Sequence, residues 1–199
     1  MTKKAVLSKL ATRIGQFKRY GYDLPASRKY ILEKSGIRNG TVLEIGTGKG
    51  HLTKLLAKKN LRAISIDLDP EALATAKIHL STAKAGRRIL LRKMNAEKLP
   101  FRTRSFDHVI SVDFFHHAKN PLRCLREMMR VARKILTLAD LNRKGMKIMD
   151  LVHRSEGKKH ATPAIPLSTL RKYLLKNGFI VKSYRHTCHQ IFIAQRRSL

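Results

Sequence analysis

Apolar residues recur at helical spacing over residues 5–20, where Val6, Leu7, Leu10, Ile14 and Phe17 share one face. Lys9, Arg13, Lys18 and Arg19 fill much of the rest, so the pattern predicts a basic amphipathic helix, stopped at Gly21. Asp23-Leu24-Pro25 predicts a second helix running to about residue 35, with proline in its first turn and Gly36 past its end. From there short apolar runs alternate with helical patterns. Strands are expected over 41–45, 62–66, 88–92, 108–112 and 134–139, and helices over 51–59, 70–83 and 120–133. Mostly apolar strands of this length fit burial on both faces, so the alternation predicts a parallel sheet with helices on both sides. The pattern then changes. Residues 142–162 are basic and irregular with a helix over 144–153. Ser168 is expected to cap a helix through Lys176, and 179–184 and 190–195 read as two strands joined by a short turn.

The first strand of the alternating region runs into Glu44-Ile45-Gly46-Thr47-Gly48-Lys49-Gly50, three glycines at every second position with an acid in front. Glycines at a strand-to-helix turn let a ligand lie against bare backbone. The spacing is neither the Gly-x-Gly-x-x-Gly of dinucleotide binders nor a phosphate loop, and a leading acid suits a ligand with a positive end. Asp67 closes the second strand about 20 residues beyond the glycines, where a carboxylate in an open α/β sheet accepts from ribose hydroxyls. Asp69 is better placed than Asp67 to cap the helix that begins at Pro70. Asn95, after the third strand, offers groups able to read an adenine edge.

The glycine motif resembles the cofactor loop of class I S-adenosylmethionine-dependent methyltransferases. Taken with Asp67, Asn95-Ala96-Glu97-Lys98-Leu99-Pro100-Phe101, Ser105-Phe106-Asp107, His116-His117 and Pro121-Leu122 followed by Arg126-Glu127-Met128-Met129-Arg130-Val131, it is similar to the group that includes the ubiquinone/menaquinone-biosynthesis enzymes. The resemblance covers residues 25–140. It implies a Rossmann-like, mostly parallel seven-stranded sheet with helices on both faces and an antiparallel C-terminal strand. It also implies S-adenosylmethionine as cofactor, with S-adenosylhomocysteine as product and no metal, in a pocket lined by Glu44, Gly46, Thr47, Gly48, Gly50, Asp67, Leu68, Asn95, Ala96 and Val112. The chain departs from the group in carrying Asn95 where Asp is usual. It also lacks a Pro-Gly-Gly turn before the fifth strand, where Ala132-Arg133-Lys134 runs straight on. The expected organisation is one domain over 1–199, made of a basic cap helix (1–24), a cofactor-binding core (25–140) and a substrate-side segment with closing strands (141–199).

Charge complicates the acceptor. Forty-three Lys and Arg against 13 Asp and Glu give a formal net charge of +30, spread along the whole chain, which favours polyanions such as RNA. Three readings stay open: a nucleic-acid methyltransferase, a small-molecule or lipid methyltransferase, and a module that binds the cofactor without transferring its methyl. Candidate bases past the fourth strand are Asp113, His116 and His117, with Asp140 after the fifth. There is no Asn/Asp-Pro-Pro-Tyr/Phe motif and no cysteine at those strand ends, which argues against amino-group chemistry on adenine and a Cys-nucleophile mechanism on pyrimidines. His186, Cys188 and His189 read as an exposed polar turn rather than a metal site. The well-separated Cys124 and Cys188 predict reduced thiols in a cytoplasmic protein. No apolar run approaches the roughly 20 residues of a membrane span, and no leader is expected. Acceptor identity and oligomeric state are left open.

Overall fold

The computed structural model describes residues 2–83, 88–157 and 165–197. Among them the elements run α1 (Lys3–Arg19), α2 (Leu24–Lys34), β1 (Thr41–Ile45), α3 (His51–Lys58), β2 (Arg62–Asp67), α4 (Pro70–Leu80), β3 (Ile89–Lys93) and β4 (Phe106–Val112). A 3-10 turn (Phe115–His117) leads to α5 (Pro121–Val131), β5 (Ala132–Leu141), α6 (Arg143–Ser155), α7 (Leu167–Lys176), β6 (Phe179–His186) and β7 (His189–Arg196). The strands form one sheet in the order β3-β2-β1-β4-β5-β7-β6. β1 to β5 are mutually parallel, while β7 runs antiparallel between β5 and β6. The expected seven-stranded architecture is therefore present. The order reverses direction at β1 and β4, which opens a crevice above their C-terminal ends, where open α/β sheets take their ligands.

Alternate residues of the central strands face opposite layers. Leu43 and Ile45 pack with α5 and α7 residues such as Leu125, Met128 and Leu174, whereas Val42 and Ala63 pack with Ile31, Leu52 and Leu56 of α2 and α3. A third, smaller core joins Phe17 and Tyr22 to Leu141, Ile148, Met149 and Val152, and so fastens α1 to α6 above the crevice. Full burial of a side chain of this size is worth about 1.5–3 kcal/mol, enough for a few contacts to hold the cap down.

Several expectations need correction. Ser168 does not cap α7; Pro166 precedes the helix without a side-chain bond, and Ser168 lies in its first turn. Strand β4 begins at Phe106 rather than 108, because Asp107 is satisfied within the sheet by the Thr41 amide (3.0 Å), Arg133 (2.8 Å) and Lys134 (3.0 Å). Strand β5 begins at Ala132, directly from α5. Residues 143–155 are helical, capped by Asn142, so the segment after β5 is more regular than its composition implied. The remainder of the 142–162 stretch, from 158, lies outside the described residues.

Candidate cofactor and acceptor site

The glycine loop gets its shape from backbone that other residues resist. Gly46 has φ +82°, and a Cβ there would sit 3.0 Å from the Phe114 ring. Gly50 has φ +75°, and a Cβ there would press on the Ala76 backbone at 3.1 Å, so its bareness lets α3 pack close to α4. Gly48 meets nothing within 4 Å and faces open space. The Gly48 amide donates to Asp67 Oδ2 (2.8 Å), which ties the loop to the end of β2. Asp69, not Asp67, caps α4, accepting from the Glu71 amide at 2.8 Å.

Above these groups lies a cavity of about 500 Å³, within the range usual for cofactor sites. Of the expected cofactor residues, Gly46, Gly48, Asp67, Leu68, Asn95 and Ala96 line it; Glu44, Thr47, Gly50 and Val112 do not and form the layer behind. Thr47 Oγ1 bonds Ser65 Oγ at 2.7 Å, and Glu44 is buried with one carboxylate oxygen that makes no hydrogen bond among the described residues. Burial pushes Glu44 up to about 7, against the pull of Thr53 and Ser65. Leu68 is 58% exposed in the cavity wall, an apolar surface with no cover. Bare backbone, a carboxylate and an uncovered apolar face fit the amino-acid, ribose and base parts of S-adenosylmethionine.

The loop that follows Ala96 is fixed by a pair whose role the sequence reading did not assign. Glu127 accepts from the Leu99 amide (2.7 Å) and Arg130 (2.7 Å), and Arg130 donates to the carbonyls of Phe101 (2.6 Å) and Leu99 (2.9 Å). The three-residue spacing of Glu127 and Arg130 on α5 was its signal.

A second cavity, of about 180 Å³, adjoins the first and shares Gly48, Asp113 and His117 with it. Arg13, Ile14 and Phe17 of α1 and Met149 and His153 of α6 line it, together with Arg28, Lys49, His51 and His116. Its three candidate bases have different surroundings. Asp113 adopts φ +54° and is committed to a buried network. Arg28 Nη2 donates to its Oδ2 (2.6 Å), Tyr22 Oη also donates to that oxygen (3.1 Å), and His189 Nε2 lies 2.9 Å from its Oδ1. Burial alone would raise this carboxyl, but Arg28 and His189 hold it well below the usual range. His116 Nδ1 lies 2.5 Å from Asp140 Oδ1, whose Oδ2 accepts from the His116 amide at 3.1 Å. Burial opposes charge on His116, yet the Asp140 bond and charge outweigh it and raise the imidazole above its usual value. His117 is exposed, and its ring lies tilted against that of His116 at 50° with centroids 4.1 Å apart. His51 is pushed down to about 3, chiefly by burial and then by the Arg28 charge, and stays neutral.

His189 and Cys188 correct the expectation of an exposed turn. The turn is there, but both residues are buried, and His189 serves Asp113. Among the described residues no group of three or more His, Cys, Asp or Glu could hold a metal ion, and no helix is long and apolar enough to cross a membrane.

The sequence profile of a methyltransferase-domain family matches residues 43–135. An uncharacterized protein of Mycobacterium tuberculosis is 34% identical over 113 residues, covering 56% of this chain and 40% of that one. A ubiquinone biosynthesis O-methyltransferase of Nitrosomonas europaea is 30% identical over 111 residues, covering 55% and 46%. The chain thus spans less than half the length of these two relatives. Among solved structures, a SAM-dependent methyltransferase from Aquifex aeolicus superposes with TM-score 0.67 at 19% identity, over 98% of each chain. Magnesium protoporphyrin IX methyltransferase from Synechocystis, solved with bound SAH, gives 0.66 at 16% identity, over 92% of this chain and 84% of that one. Glycine loop, strand-end acid and sheet order agree with the methyltransferase-domain profile over residues 43–135, and the chain has the fold of the S-adenosylmethionine-dependent methyltransferases.

Proposed function

We propose that this chain moves the methyl group of S-adenosylmethionine from the larger cavity to a small-molecule acceptor held in the smaller one. The observation that carries this reading is the shared wall: Gly48, Asp113 and His117 line both spaces. S-adenosylmethionine supplies a methyl already activated on a sulfonium, so the chain's contribution is positioning and, for a protonated acceptor, a base. Gly46, Gly48, Asp67, Leu68, Asn95 and Ala96 would hold it. The acceptor space of about 180 Å³ compares with the roughly 150 Å³ that accommodates a benzene ring. A roof of Arg13, Ile14, Phe17 and Met149 suits a compact molecule better than a polymer. The name of the ubiquinone biosynthesis O-methyltransferase among its relatives supports the same class. With Cys124 and Cys188 free and buried, the reading includes a reducing, cytoplasmic setting.

A nucleic-acid acceptor is the second reading, favoured by the +30 charge. Transfer of labelled methyl into a cell extract, split into nuclease-treated and untreated halves, separates the two. Label in small molecules that survives nuclease is expected. Label confined to macromolecules and lost with nuclease would replace the first reading with the second.

A further inference from the structure

Helix α7 and the two C-terminal strands form an open cleft of about 440 Å³ that shares no lining residue with the cofactor or the acceptor cavity. Its floor is two cross-strand pairs, Ser183 opposite Phe192 and Arg185 opposite Gln190. Residues two apart on a strand share a face, so Ser183 and Arg185 lie on the same side of the sheet. Its wall is Ser168 and Arg171, three apart and therefore neighbours on one face of α7. Gln190 in turn pairs with Asp140, so the cleft lies at the edge of the sheet where β5 ends, two strands further out.

The two guanidiniums in it are anchored without being neutralised. Arg171 Nε donates to Ser183 Oγ (3.3 Å) and Arg185 Nε donates to Gln190 Oε1 (3.3 Å). Both partners are uncharged. No acidic residue lines the cleft, and among the described residues neither arginine makes an ion pair or a hydrogen bond through its Nη groups. Arg28, Arg130 and Arg133, by contrast, each meet a carboxylate. Helix α7 also begins here with no side-chain cap and no acid in its first turn, which adds to the positive potential. Two forks held from one side and open on the other, with the hydroxyls of Ser168 and Ser183 beside them, make an anion site. One fork fills both oxygens of a carboxylate, whereas the tetrahedral oxygens of a phosphate can face two.

We propose that this cleft binds a phosphate group, carried either by a small phosphorylated molecule or by a polynucleotide backbone. The Nη groups of Arg171 and Arg185 take its oxygens, and the two serine hydroxyls donate to those that remain. The site stands apart from the methyl-transfer reading, because none of its residues belongs to either cavity of that reading. It gives two of the 43 basic side chains a specific task.

The test uses the full chain at low ionic strength, with inorganic phosphate, glycerol 3-phosphate and a single-stranded uridine dodecamer as probes. Calorimetry reads affinity, and NMR of the arginine Nε–H groups reads location. Saturable binding of at least one probe is expected, with the signals of Arg171 and Arg185 shifting together. Arg171→Met/Arg185→Met should weaken that binding by about tenfold or more. Arg171→Lys/Arg185→Lys keeps the charge but loses the forks, and should weaken it by about threefold to tenfold. Lys58→Met/Lys59→Met removes the same charge from exposed positions at the end of α3 and should change it by about twofold at most. Thermal unfolding should be the same for all four chains, since no side chain replaced is buried. Arginine-dependent binding of phosphate and glycerol 3-phosphate supports the site with a small molecule as source. Arginine-dependent binding of the dodecamer alone supports it with a polynucleotide as source. Full binding by the methionine pair, an equal loss in the Lys58/Lys59 control, or no saturable binding of any probe would overturn the proposal.

Discussion

The cofactor cavity and the acceptor cavity share a wall but are assembled in different ways. The first is built from consecutive strand ends: Gly46 and Gly48 after β1, Asp67 and Leu68 at β2, Asn95 and Ala96 after β3. Each contributes backbone or a short side chain where its own strand stops. The second draws on α1, α2, the glycine loop, β4 and α6, with Asp140 of β5 and His189 of β7 in support. Its polar groups are long, charged and buried, and they hold one another in place. A ligand site made of local backbone depends on turn chemistry, whereas one made of converging charges depends on every partner being present.

The largest effect is expected where that dependence is strongest. Arg28→Met strands Asp113, a buried carboxylate on a positive-φ backbone, and should cost on the order of 3–5 kcal/mol. Pairing it with Asp113→Asn should recover part of the loss. Urea unfolding of the single and double variants measures both. A single-variant loss close to that of an exposed ion pair would mean that the network is not what holds this half together.

On the cofactor side the sign reverses. Glu44 has a folded pKa of about 7 against an ordinary value of 4.5, so the fold penalises its ionised form. Stability from this group is complete below about 4.5 and falls as pH rises through 7. Glu44→Gln should therefore stabilise the ligand-free chain at pH near 8 by on the order of 2–3 kcal/mol and change little at pH near 4. Thermal unfolding at the two pH values checks this, and equal effects at both would rule out ionisation as the cause.

Asp67→Ala sharpens the comparison through binding. It removes the acceptor of the Gly48 amide and the carboxylate expected at the ribose. Loss of a charge-assisted bond of about 1.5–3 kcal/mol corresponds to S-adenosylhomocysteine affinity about 10- to 100-fold weaker, read by calorimetry. Unchanged affinity would place the ribose elsewhere.

The same contrast explains what could be read from the sequence. The glycine loop, Asp67 and Asn95 were legible because each follows its own strand in chain order. The missing Pro-Gly-Gly turn likewise showed a short connection between helix and fifth strand, although the change falls at Ala132 rather than at residue 134. Asp107 looked like a loop residue because its partners, Thr41, Arg133 and Lys134, are distant in sequence until β1, β4 and β5 align. Likewise, nothing near His189 marks it as buried beside Asp113, 76 residues away. Asp140 was only a secondary candidate, since its contact with His116 exists only once β4 and β5 are neighbours. Residues whose role depends on a strand pairing across dozens of positions carry no local periodicity to betray them.

The smallest effect is expected at the rim, where the two halves should separate most cleanly. Arg13 on α1 pairs with Glu156 just past α6, bridging the cap over the acceptor cavity from its partly solvated side. A pair of this kind contributes at most about 1 kcal/mol and is screened by salt. Arg13→Ala should leave S-adenosylhomocysteine affinity unchanged, because Arg13 does not line the cofactor cavity. It should raise the acceptor KM by about threefold to fivefold at low salt, with the difference shrinking as ionic strength rises. Parallel calorimetry and acceptor kinetics at two salt concentrations read both quantities. If cofactor affinity falls as far as acceptor affinity, the two cavities behave as one site, and the division of labour between strand-end backbone and converging side chains does not hold.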